Sequence, residues 1–92
     1  RYASLGSTTS TQLSTAATNL RQANVFDGQL YVSTGSGSAF RIAAVGAGCP
    51  TTAGQSLAGL PGFPTSGSPY GFFLADLDPG VAGADTLYVA DD

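Results

Sequence analysis

The sequence predicts an all-β protein made of antiparallel meander repeats, and three observations carry that reading. The 92 residues hold 13 Gly and 20 Ser or Thr but only three Arg and six Asp as charges, which leaves few good helix formers for exposed helical faces. Two segments, GQLYVST at 28–34 and DTLYVAD at 85–91, alternate apolar and polar residues with a period of two. Turn-forming pairs, Asp27–Gly28 and Pro79–Gly80, fall next to these segments.

Each predicted element follows from this alternation and its punctuation. The first copy reads as a strand at Tyr2–Leu5, a hydroxyl-rich connection with a weak strand at Thr11–Leu13, a strand at Leu20–Phe26, the Asp-Gly turn, and a strand at Gln29–Ser33. In the last of these, Leu30 and Val32 take one face while Tyr31 and Ser33 take the other. A turn at GSGS (35–38) leads to the second copy: strands at Phe40–Val45, weakly at Gln55–Leu60, at Gly71–Leu77 and, after the Pro-Gly turn, at Thr86–Ala90.

The two copies align directly. Leu30-Tyr31-Val32 matches Leu87-Tyr88-Val89 at a separation of 57, and RYASLG at 1–6 matches RIAAVG at 41–46 at a separation of 40. The difference is a 17-residue insertion in the second copy. It is placed near 47–70, where four of the five prolines stand, because proline cannot donate to a ladder and surface loops absorb length cheaply. The expected organisation is a first repeat at 1–40 and a second at 41–92, incomplete at its C-terminal side. Four-stranded meanders at this spacing are the pattern of β-propeller blades, so about two blades are expected, with a β-sandwich as the alternative.

Charge and pattern exclude several functions. A net charge of −3 with no Lys offers no footprint for nucleic acid. Every apolar stretch is interrupted far short of the roughly 20 residues a membrane-spanning helix needs. Without His there is no Ser-His-Asp or Cys-His arrangement, and general acid–base work would fall to Asp alone; the expectation is that the chain is not an enzyme. Low charge and abundant hydroxyls favour a secreted or cell-surface protein, with Ser7–Thr15 the place for O-linked sugar. The single Cys49, with no base or positive charge beside it, is expected to be a small core hydrophobe.

Several phrases resemble a known group. GQLYVSTGSG (28–37), CPTTAGQ (49–55), LPGFP (60–64), SPYGFF (68–73) and DTLYVADD (85–92) are similar to recurring phrases in a group of largely uncharacterised secreted repeat proteins of bacteria and algae, read as β-propellers. The resemblance covers about half the chain. It implies a propeller fold, an extracellular setting and a piece of a longer repeat protein, and it carries no catalytic residues. Neighbouring blades of a parent chain or further copies of this one, closing a ring or stacking as a filament, are the expected partners.

Two candidate sites remain. FFLADLDPGVAGADTLYVAD is similar to the calcium loop of integrin-type propeller repeats, with Asp76 and Asp78 at the first two ligand positions and Asp85 one residue late for the closing one. Because Gly80 stands at the third position and Ca²⁺ takes six to eight oxygens, a weak calcium site or a plain solvated β-turn are the two readings, and no other cofactor is expected. The second candidate is aromatic. Phe63, Tyr70 and Phe72 lie in or just after the insertion, and ring faces flanked by hydroxyls would stack on saccharides. A non-catalytic structural or interaction module is the favoured function, and a lectin-like module the alternative.

Overall fold

The computed structural model describes residues 1–15, 19–35, 41–60, 68–80 and 85–91. Six strands follow in order: β1 Leu20–Phe26, β2 Gln29–Thr34, β3 Ile42–Val45, β4 Leu57–Gly59, β5 Pro69–Ala75 and β6 Thr86–Asp91. The protein is all-β: no helix occurs among the described residues, and so none is long and apolar enough to cross a membrane. β1 to β4 form one antiparallel meander in that spatial order, and β5 with β6 forms a second antiparallel sheet.

The Asp-Gly pair turns β1 into β2 with both residues at positive φ, 51° for Asp27 and 73° for Gly28. That is the two-residue hairpin geometry whose twist suits flanking strands, and Asp and Gly are the residues that tolerate it. Its register pairs Val25 with Leu30 and Ala23 with Val32, and β3 adds Ala43 beside Val32. The expected alternation in β2 therefore holds. Val32, Ala43 and Val45, with Leu30 and Leu57 beside them, form one apolar face, and Leu13 of the N-terminal segment closes over it.

The opposite face carries Asn24, Phe26, Ser33 and Ile42, and here the second sheet packs. Phe26 meets Phe72 at 6.1 Å between ring centroids, Ser33 donates its hydroxyl to the Tyr70 carbonyl at 2.8 Å, and the Asn24 amide donates to the Phe72 carbonyl at 3.1 Å. Ser33 is fully buried, so its hydrogen bond is the condition for its being there. The molecule is thus a stack: N-terminal segment, four-stranded sheet, two-stranded sheet.

Some expectations are corrected. Tyr2–Leu5 is not a strand; Tyr2 makes an isolated bridge to Thr11, with both backbone N–H groups donating to the opposite carbonyl at 2.8 Å, and Leu5 is fully exposed. Thr11–Leu13 is reduced to that bridge and the buried Leu13. Cys49 is exposed rather than a core hydrophobe. It lies in the β3–β4 connection, which folds back on the first turn: Leu30 N–H donates to the Gly48 carbonyl at 2.9 Å, the Gly48 N–H donates to Gln29 Oε1 at 2.9 Å, and the thiol rests 3.6 Å from the Gly28 carbonyl. Backbone groups do the anchoring there, and the side chain is left outside.

Candidate functional site

The candidate calcium residues lie on and beside the long turn between β5 and β6. Asp85 is the centre of this turn. Its Oδ1 accepts the Leu77 N–H at 3.1 Å and the Thr86 hydroxyl at 2.7 Å, and its Oδ2 accepts the Asp78 N–H at 2.6 Å. The Asp78 carboxylate accepts the Gly80 N–H at 2.9 Å, which is an Asx-type turn. The Thr86 hydroxyl first, and then the backbone N–H groups of Leu77 and Asp78, hold the Asp85 carboxyl below the usual carboxylate range; slight desolvation opposes them, and a hydrogen bond with Asp76 adds a smaller lowering.

Chemically this is a loop clamp. Both Asp85 oxygens and Asp78 Oδ1 accept bonds from backbone N–H groups of the turn and from the Thr86 hydroxyl, whereas a calcium site directs oxygens at one shared point. Among the described residues no three Asp, Glu, His or Cys side chains gather to hold a metal ion.

The aromatic candidates separate. Phe63 lies outside the described residues. Phe72 is turned inward, 6% exposed against Phe26. Tyr70 is at the surface, with the Arg21 guanidinium 4.2 Å above its ring, a cation–π contact worth about 0.5–1 kcal/mol at an exposed place. Phe73 and Tyr88 stay exposed at 57% and 58%, directly opposite each other across the hairpin. Phe73 also meets Phe26 edge-on at 5.3 Å. The period of two separates Phe72 from Phe73, since adjacent residues of one strand take opposite faces, but which of them faces out is decided by the pairing with β6 and the extra residue between Pro69 and Phe72.

A cleft of about 570 Å³ lies on the other side of the stack, under the N-terminal segment. Leu30, Val32, Val45 and Leu57 supply apolar lining, with Arg1, Gln12, Asn19 and Arg21 among its polar residues. Compared with known protein families, curated proteins and solved structures, the chain gives no match.

Proposed function

We propose that this chain is a non-catalytic extracellular scaffold module, built from propeller-type blades, whose work is display and assembly. One observation carries the reading. The hairpin β5–β6 repeats β1–β2 pair by pair: Val25–Leu30, Asn24–Tyr31 and Ala23–Val32 correspond to Leu74–Leu87, Phe73–Tyr88 and Phe72–Val89. Even the irregularity recurs, since both first strands carry one extra residue, between Leu20 and Gln22 and between Pro69 and Phe72. Two equivalent hairpins stacked face to face, the first continued by β3 and β4 into a four-stranded meander, are what successive blades would look like. The low charge and abundant hydroxyls support the extracellular setting.

Stacked repeats gain stability from each neighbour. A tandem chain of two copies, joined by a linker as long as the β2–β3 connection, is therefore expected to melt at a clearly higher temperature than one copy. An unchanged melting temperature would favour a self-contained β-sandwich.

The exposed Phe73–Tyr88 pair favours a second reading, a lectin-like blade that stacks sugar rings. Titration of tyrosine fluorescence with a panel of saccharides separates the two: the scaffold reading expects no response, and a saturable response lost on Tyr88→Ala establishes the lectin.

A further inference from the structure

We propose that the cleft under the N-terminal segment binds a small amphipathic anion: a monocarboxylate with an apolar tail, the tail on the four-stranded sheet and the carboxylate on the arginines. Such a site goes beyond the scaffold reading and stands or falls without it.

The floor of the cleft follows from the strand register. Ala23 pairs with Val32 and Val25 with Leu30, while Val45 pairs with Leu57 in the next ladder. Leu30, Val32, Val45 and Leu57 join the apolar cluster that Leu13 covers, and all four also line the cleft. Toward β1 the cover ends. Ala23 and Leu20, which line the cleft as well, are exposed, Leu20 at 49%. The apolar face of the sheet thus runs from a closed core into an open hollow of about 570 Å³, within the range of roughly 300–1,000 Å³ that small-molecule sites occupy.

The charge at this hollow is opposite to that of the chain. Six Asp and three Arg leave the protein at −3, yet two of the three arginines, Arg1 and Arg21, line the cleft, and no Asp does among the described residues. The other polar residues lining it, Gln12 and Asn19 among them, are neutral. Arg1 donates from one terminal nitrogen to the Ser10 hydroxyl at 3.1 Å, and Arg21 donates from Nε to Asn19 Oδ1 at 3.2 Å. Both acceptors are uncharged, and among the described residues neither guanidinium is met by a carboxylate. A guanidinium has five N–H donors, so each keeps several for a ligand. Arg21 is the better fixed of the two, since its guanidinium also rests 4.2 Å over the Tyr70 ring.

Floor and charge together select the ligand. An uncharged apolar molecule would cover the sheet but leave both arginines to water. A small free anion would meet the arginines and leave Leu30 and Val32 wet. One molecule carrying both parts satisfies both surfaces, and a carboxylate is the planar group that the arginine fork matches with two parallel, charge-assisted bonds.

The test titrates the full 92-residue chain with decanoate, below the concentration at which the probe itself aggregates, and follows amide shifts by NMR. Saturable shifts are expected at Leu30, Val32, Val45 and Leu57, and none at Phe73 and Tyr88 on the far hairpin. The neutral probe 1-decanol is expected to bind about tenfold more weakly, the loss of one charge-assisted hydrogen bond. Arg1→Gln combined with Arg21→Gln should remove that tenfold advantage and leave decanol binding as it was, which a loss of fold would not do. Ala23→Phe grows a ring into the open hollow and should abolish binding of both probes, while unchanged shifts at Phe72 and Val89 show that the hairpin is still packed. Equal affinity for decanoate and decanol in the unmodified chain overturns the proposal, as does the absence of saturable shifts or binding that survives Ala23→Phe.

Discussion

The two hairpins share one register but are turned by different means. β1 passes into β2 through two residues, Asp27 and Gly28, held by positive φ. β5 passes into β6 through the ten positions 76–85, held by the Asp85 carboxylate and by the Asp85 N–H, which donates to the Ala75 carbonyl at 3.0 Å. Register is often assigned to the turn, yet here Val25–Leu30 and Leu74–Leu87 pair identically behind unlike turns. What the hairpins have in common is the side-chain pattern and the extra residue in the first strand. A slip by one residue would carry the whole apolar set to the wrong face, and that penalty holds the register while the turn is free to vary. It also means that eight of the seventeen extra positions of the second copy sit in this turn.

Breaking the interface between the hairpins should have the largest effect. Phe72 is 6% exposed against Phe26, and Phe72→Ala is expected to destabilise the protein by about 3–4 kcal/mol through lost burial and a residual cavity. Its neighbour Phe73 is 57% exposed, so Phe73→Ala should cost less than about 1 kcal/mol. Urea unfolding of the two variants measures the contrast, and equal losses would mean that the hairpin does not present one face inward.

A smaller effect is expected where the hairpins differ chemically at equivalent places. Ser33 corresponds to Ala90, and only Ser33 reaches across to the other sheet, donating to the Tyr70 carbonyl. Ser33→Ala leaves that carbonyl without this donor and should cost about 1–3 kcal/mol. Denaturant unfolding should place this loss below that of Phe72→Ala.

The turns themselves come next. Gly28→Ala forces a Cβ into left-handed backbone with open space around it, so strain alone should cost about 1–2 kcal/mol. Gly80→Ala, in the long turn, asks only that the Asp78 carboxylate give slightly, and its effect should stay within about 0.5 kcal/mol. Thermal unfolding of the pair checks whether the short turn is the strained one.

Much of this architecture was legible in the residues. Leu20–Phe26, the Asp-Gly turn and the split of Leu30 and Val32 from Tyr31 and Ser33 follow from period-two patterning and turn chemistry, which are local. Tyr2–Leu5 misled because its alternation is good but its ladder is a single bridge, and pairing is not a local property. Cys49 misled for a related reason: residue type favours burial, but the surrounding connection is anchored through backbone groups and Gln29. For the candidate sites, the sequence placed Asp76, Asp78 and Asp85 by the same turn. It carried no sign that Asp85 would spend its oxygens on backbone N–H groups, because that depends on how the loop closes.

The smallest expected effects concern that closure. Because the folded state lowers the pKa of Asp85, the clamp contributes stability above the carboxyl's unfolded pKa and loses it as pH falls through the lower folded value. The turn should therefore stay closed from neutral to mildly acidic pH and open only below the usual carboxylate range. Amide exchange reports it directly: at neutral pH, Asp85→Ala should speed exchange at Leu77 and Asp78 while Phe72 and Val89 keep their protection, since the strands hold their register without the turn. Calcium sharpens the same point. Both Asp85 oxygens and one Asp78 oxygen already accept bonds from Leu77, Thr86, Asp78 and Gly80 donors, so an ion would compete with those bonds, and millimolar Ca²⁺ should leave the melting temperature unchanged. A clear rise that disappears in Asp78→Asn would show that the loop re-forms around the ion, and the long turn would then differ from the short one in function as well as in length.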